Sequence, residues 1–89
     1  MRKSRQLLTG QRHELTLPNL GVDDVPIVAT TWLVELGEEV TEGDRMLEVV
    51  AGSVSVDLPA PASGILAEVW VEEDEQVKTG QLLAVVVEV

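Results

Sequence analysis

The sequence predicts an all-β domain, and three observations support that fold class. Hydrophobic residues make up 45% of the 89 residues, yet only Trp32 and Trp70 are aromatic, and the apolar content is mostly valine and leucine. β-Branched side chains favour strands over helices. Short apolar stretches alternate with turns rich in glycine, proline and acidic residues, and none keeps a helical stripe over three turns. Similar residues also recur at an interval of 37.

Six apolar stretches predict the strands. In chain order they are residues 14–17, 27–34, 45–50, 54–58, 65–71 and 81–89. The first ends at the breaker Pro18, and the fourth alternates apolar with polar residues until Pro59 ends it. A turn through Ala51, Gly52 and Ser53 connects the third and fourth stretches, which predicts a β-hairpin.

The 37-residue repeat predicts how these strands assemble. Without a gap it aligns Leu33 with Trp70, Glu38 with Glu75, Val40 with Val77, Gly43 with Gly80, Met46 with Leu83 and Val49 with Val86. Two units are too few for a solenoid, so we expect them to close on each other as two small antiparallel sheets related by a pseudo-twofold axis. Gly43 and Gly80 should have positive φ in equivalent turns. Val40 and Val77 should plug equivalent ends of the core.

The charge distribution limits the classes of partner. From Glu14 onward there are 16 acidic residues against Arg45 and Lys78. Such a body repels nucleic-acid backbones, so we expect no nucleic-acid partner and favour a protein with a basic surface. No run approaches the ~20 apolar residues that cross a bilayer, and Leu7–Leu8 is too short for a secretory signal. We expect a cytoplasmic protein without a membrane partner, with a basic, flexible segment at 1–12 and a domain at 13–89.

Two longer motifs resemble the halves of biotinyl/lipoyl-attachment domains. Residues 32–44, WLVELGEEVTEGD, are similar to the first half, and residues 59–64, PAPASG, with Val77, Gly80 and 82–85 are similar to the second. The resemblance implies a barrel-sandwich hybrid, a flattened barrel of two four-stranded antiparallel sheets. It also implies that a lysine on a type I hairpin carries lipoate or biotin, the family cofactors.

The chain departs from this family at the attachment turn. Where lipoyl domains commonly carry Asp-Lys-Ala and biotinyl domains carry Ala-Met-Lys-Met, this chain has Gly52, Ser53 and Val54. An amide-linked arm needs a lysine amine, which serine does not provide. Lys3 lies in the basic segment and Lys78 in an ordinary repeat turn, so we expect no bound cofactor.

Other candidate sites have structural explanations. Ser53 lacks the Asp-Ser-Leu setting of acyl carriers, and serine beside glycine is common in hairpin turns. His13 has no nucleophile or orienting partner at a suggestive spacing and is interpreted as an exposed linker residue. The acidic run 72–75 lacks calcium-loop spacing and is interpreted as a solvated turn, with steering of a basic partner as the alternative. Trp32 and Trp70 are one position out of register, so one is expected in the core and the other partly exposed.

The leading hypothesis is a non-catalytic, lipoyl-domain-like binding or carrier-type module that is neither lipoylated nor biotinylated, and a 2-oxo acid dehydrogenase component is its expected partner. An alternative is a component of a 2-oxo acid dehydrogenase system, related to a dihydrolipoamide acyltransferase, or of a biotin-dependent carboxylase, with the swinging arm on another chain. No acyltransferase domain fits in 89 residues. Membrane-fusion adaptors split the two half-motifs with a helical hairpin, for which residues 57–63 leave no room.

Overall fold

The computed structural model describes residues 3–4, 10–22 and 24–89 of the chain, and its elements are strands and turns. Within these described ranges nine strands follow one another: β1 Lys3–Ser4, β2 Arg12–Thr16, β3 Ile27–Trp32, β4 Glu39–Val40, β5 Arg45–Ala51, β6 Val54–Pro59, β7 Gly64–Val69, β8 Glu75–Val77 and β9 Leu82–Val87. The six predicted strands are all present, with ends shifted by a few residues. The short strands β1, β4 and β8 were not predicted. Two or three residues are too few to show an alternating pattern.

The strands form two antiparallel sheets, which contribute most of the residues of the main apolar cluster. One sheet has the order β1-β7-β9-β2, with β4 also paired to β7, and the other has the order β6-β5-β3-β8. The second sheet has four strands. The first sheet has five, of which four correspond to the expected sheet and the fifth is the two-residue β1. The flattened barrel of two antiparallel sheets is therefore confirmed.

Hydrogen bonds confirm the internal repeat. Leu33 N–H donates to the Met46 carbonyl over 2.8 Å, and 37 positions later Trp70 N–H donates to the Leu83 carbonyl over 2.9 Å. Turn contacts repeat in the same way: Glu35 N–H donates to the Glu38 carboxylate and Glu72 N–H to the Glu75 carboxylate. The pairing of residues 28–32 with 47–50 matches that of 65–69 with 84–87 residue by residue, including the register shift after Ala29 and after Leu66.

The core confirms two further predictions from the repeat. Val40 and Val77 are each 3% exposed and belong to the same apolar cluster. Gly43 and Gly80 have φ values of +91° and +86°, where a residue with a Cβ would be strained. Equivalent turns and equivalent buried valines therefore close both ends of the barrel.

The division of the chain at residue 12 stays a prediction. Residues 1–2 and 5–9 of the basic segment lie outside the described residues. Within it, Lys3–Ser4 pairs with Glu68 and Val69 of β7, and Arg12 opens β2. The described residues contain no helix that is long and apolar enough to cross a membrane.

Candidate functional site

The candidate site is the tip of the β5–β6 hairpin. Ala51 pairs with Val54, which leaves Gly52 and Ser53 as a two-residue turn. Both turn residues are exposed, while Ala51 is 2% exposed and anchors the base of the turn in the core. The hairpin predicted from the sequence is present, and the three candidate residues are adjacent: Gly52 and Ser53 form its turn, and Val54 begins β6.

The turn is not the type I turn that the family resemblance implies. Gly52 has a φ of +62°, whereas both central residues of a type I turn have negative φ. The described non-glycine residues with positive φ are Asp24 and Asp74, so Ser53 has negative φ. Glycine first and a negative φ second is the pattern of a type II′ turn, whose twist matches that of the flanking strands. The glycine at position 52 thus permits a different turn from the one expected.

Two partly exposed valines flank the tip. Val54 follows the turn and is 42% exposed, and Val25 in the loop before β3 is 41% exposed. A Cβ built at Gly52 would lie 3.8 Å from Val25 Cγ1, which places this loop against the hairpin. The tip therefore combines an exposed polar residue at its apex with an apolar flank.

Lys78 lies at the same end of the barrel as the tip. Ile27 of β3 pairs with Ala51 on one side and with Val77 on the other, so these three residues form one row across the sheet. Lys78 follows Val77, and its N–H donates to the Gln81 side chain over 3.0 Å. Lys78 is thus in the repeat turn that the sequence predicts, about two strand spacings, or ~10 Å, from the strand that leads to Ser53. The sequence alone did not show that the two turns share an end.

His13 is not a linker residue. It lies within β2, its side chain is 28% exposed, and its Nε2 lies 2.5 Å from Glu88 Oε2. The two residues are 75 positions apart, so no local spacing could have signalled the pair. They join β2 to the residue after β9, away from the hairpin tip. The structure therefore does not bring His13 to the candidate site.

Both tryptophans are half-buried, so the one that the sequence places in the core is only partly enclosed by it. Trp32 packs against the core, and its Nε1–H donates to the Val71 carbonyl over 3.0 Å. The Trp70 Nε1–H donates to Glu68 Oε1 over 2.9 Å. Each indole pairs its one polar atom, as is usual for tryptophan that is at least partly buried.

A buried carboxylate was missed by the sequence analysis. Glu68 is 6% exposed, and its second oxygen accepts a hydrogen bond from Arg12 of β2. The pKa of Glu68 is lowered, mainly because its carboxylate accepts the hydrogen bond from Arg12. Desolvation by burial acts in the opposite direction and raises the pKa, whereas the hydrogen bond donated by Trp70 lowers it further. Hydrogen bonding to Glu68 likewise raises the pKa of Arg12. A charged residue inside β7 was the available signal, but its partner is 56 positions away.

Known proteins with similar sequences carry related domains. The family model described as "Biotin-requiring enzyme" matches residues 13–86. The chain is 38% identical over 78 residues to the dihydrolipoyllysine-residue acetyltransferase component of the acetoin cleaving system of Pseudomonas putida, covering 88% of this chain and 21% of the relative. It is 31% identical over 76 residues to the acetyltransferase component of the Corynebacterium glutamicum pyruvate dehydrogenase complex, covering 85% and 11%.

A third relative belongs to another complex. The chain is 31% identical over 75 residues to the dihydrolipoyllysine-residue succinyltransferase component of the 2-oxoglutarate dehydrogenase complex of Buchnera aphidicola, covering 79% of this chain and 19% of the relative. The chain therefore spans between about a tenth and about a fifth of the length of these relatives. The similarity covers the small β domain and not the remainder of the acyltransferase components.

Proposed function

The chain belongs to the biotinyl/lipoyl-attachment domain family, and on that premise we propose that it is a lipoyl-domain-like module that docks on a partner without carrying lipoate or biotin. The observation that carries this proposal is the residue at the hairpin apex. Ser53 stands at the tip of an exposed two-residue turn, and its hydroxyl cannot form the amide that holds a prosthetic arm. The domain itself supplies no catalytic machinery in this proposal.

The geometry around the apex supports a docking role. The hairpin, its buried base at Ala51 and the adjacent loop at Val25 form one exposed end of the barrel. Val25 and Val54 offer apolar contact area, and the 16 acidic residues of the chain favour a partner with a basic surface. The similar relatives are components of 2-oxo acid dehydrogenase complexes and of an acetoin cleaving system. A 2-oxo acid dehydrogenase component is therefore the partner that we propose.

Ligase assays test the absence of the arm. The native chain is co-expressed with a lipoyl ligase or a biotin ligase, and its intact mass is measured. We expect no added mass, whereas one lipoyl or biotinyl group on the native chain would refute the proposal. Peptide mapping of a Lys78→Arg variant would then show whether the amine at the same end had been used.

Substitutions at the turn test whether the apex still presents its residue correctly. We expect Ser53→Lys to gain one lipoyl group. Gly52 is kept in this variant, because the first central position of a type II′ turn favours glycine. Ser63→Lys is the matched control, since it places a lysine on another exposed turn. Equal modification of the two variants would show that the hairpin is not specifically recognised.

Binding assays test the docking role separately. The chain is titrated against purified 2-oxo acid dehydrogenase components by calorimetry, at low and high salt. We expect binding that weakens with salt and that is lost in Val25→Asp and Val54→Asp. Leu33→Asp is the matched control, because Leu33 is 44% exposed but lies past the far end of β3. If no component binds, the docking proposal is refuted. The proposal that the chain carries no lipoate or biotin would not be affected by that result.

A second candidate function places the swinging arm on another polypeptide of the same assembly. It is favoured by the relatives, in which this type of domain is one part of a much longer acyltransferase component. Under this proposal, too, the chain performs no chemistry. Co-purification with a separately lipoylated or biotinylated protein would support it. The cytoplasmic location stays a prediction under both proposals.

A further inference from the structure

The pseudo-twofold symmetry extends to the strand edges, with one exception. On the edge of β7 that faces away from β9, β4 pairs at Gly64–Ile65 and β1 pairs at Glu68–Val69. The 37-residue shift maps the first pair onto β3, where β8 takes the place of β4. It maps Glu68–Val69 onto Thr31–Trp32. Within residues 3–4, 10–22 and 24–89, no strand lies beside Thr31–Trp32 on that edge, which we call the β3 slot.

A side chain caps the main chain at the β3 slot. Trp32 N–H donates to Glu73 Oε2 over 2.8 Å. In an antiparallel strand the N–H and C=O of one residue point to the same side, so the Trp32 carbonyl faces the slot as well. The carboxylate of Glu73 thus stands where the carbonyl of a neighbouring strand would accept. The residue equivalent to Glu73 in the other half is Leu36, which has no side-chain acceptor, and there β1 supplies the strand.

The edge of β7 that β1 already occupies indicates what kind of segment fits the β3 slot. The strand bound at Glu68–Val69 comes from a basic stretch, with Arg2, Lys3 and Arg5 in the sequence. The β3 slot is bordered by exposed acidic residues of the run 72–74 and by the exposed Thr31. A free edge pairs with an extended segment through main-chain hydrogen bonds, and flanking charges select the side chains.

We propose that the β3 slot binds a short, basic, extended segment of a partner polypeptide as an added strand. In the bound state the partner's main chain replaces the Glu73 carboxylate at the Trp32 amide. The freed carboxylate then pairs with a cationic side chain of the partner. This surface is separate from the hairpin tip, because Trp32 ends β3 and the tip adjoins its beginning at Ile27.

The test uses a peptide with the sequence of residues 2–6, RKSRQ, blocked at both ends, and the full chain labelled with 15N. The amide signals of Thr31 and Trp32 should shift, and the Trp32 amide should exchange more slowly with solvent. Glu68 and Val69 should not respond, since their edge is already filled by β1. Methylating the backbone nitrogen of the peptide lysine, the residue that faces Val69 in the natural pairing, should weaken binding about fivefold by removing one hydrogen bond.

Substitutions in the domain give the matched comparison. Glu73→Lys should weaken binding about tenfold or more, because it removes one attractive charge and adds a repulsive one. Glu42→Lys makes the same charge change in the exposed β4–β5 turn and should retain nearly all of the affinity. Shifts spread over residues 35–39 as well as 72–75, or equal binding of the methylated peptide, would overturn strand addition in favour of charge attraction alone. No shift at Trp32 would also overturn the proposal, and self-association through Trp32 would overturn the choice of occupant in favour of a second copy.

Discussion

Val40→Ala and Val77→Ala should destabilise the domain equally, because the two valines occupy equivalent plugs of a repeated structure. Each is 3% exposed and packs in the same core cluster. Each substitution removes two buried methyl groups. At about 0.8 kcal/mol per buried group, the loss from transfer alone is about 1.6 kcal/mol. The space left behind raises the expected loss to about 2–3 kcal/mol for either variant.

The corresponding change in melting temperature is large for a domain of this size. With about 2.1 cal/mol/K per residue, the unfolding entropy of 89 residues is about 190 cal/mol/K. A loss of 2–3 kcal/mol therefore lowers Tm by about 10–16 °C. Val89→Ala is the control, since Val89 is 83% exposed, and its effect should stay within about 0.5 kcal/mol.

Urea and thermal unfolding followed by circular dichroism measure both quantities. The reasoning would be refuted if the free energies of unfolding of the two core variants differed by more than about 1 kcal/mol, which exceeds the additivity error of such measurements. Hydrogen exchange adds a local readout. Val77 shares a row with Ile27 and Ala51, so Val77→Ala should speed exchange at the base of the hairpin more than Val40→Ala does.

Three further outcomes are expected. Gly64→Ala should unfold the domain, because its Cβ would lie 2.2 Å from the Val87 carbonyl oxygen. The Cβ of Gly80→Ala meets nothing within 4 Å, so this variant should lose only about 1–2 kcal/mol of stability through its positive φ. Circular dichroism distinguishes the two outcomes. Hydrogen bonding by Arg12 lowers the pKa of Glu68. Its ionised form therefore stabilises the fold above the unfolded-state value of about 4.3, and this contribution is lost as the pH falls from that value through the lower folded-state pKa. The stability difference between native and Glu68→Gln proteins should therefore shrink on acidification, and a constant difference would contradict this. Ser53→Lys should change stability by less than about 0.5 kcal/mol in urea unfolding.

The sequence predicted the parts of the fold that repeat. Gly43 with Gly80 and Val40 with Val77 recur at a constant interval, and the structure places each pair in equivalent turns and plugs. A repeat carries long-range information, since two similar halves must find similar environments. The short strands β4 and β8 escaped prediction because their pairing is specified by the neighbouring strands and not by their own residues.

The sequence patterns did not predict contacts between residues that are far apart in the chain. Arg12 and Glu68 are 56 positions apart, and His13 and Glu88 are 75 apart. Each pair joins two residues that would be common on an exposed strand face, so neither pattern signals a partner. The position of Lys78 near the hairpin end was missed for the same reason. It depends on β3 lying between β5 and β8, which is a property of the sheet order.

The hairpin tip shows why shape and chemistry can separate in this fold. Gly52 sets the turn through its positive φ, and the pairing of Ala51 with Val54 holds the strands in register. The exposed side chain at position 53 is not needed for either of these contributions. A lysine there would supply a reactive amine, whereas serine supplies none, and the backbone of the turn is specified equally well in both cases. The fold therefore imposes no requirement on the side chain at position 53, and the barrel and its hairpin can form with or without an amine there.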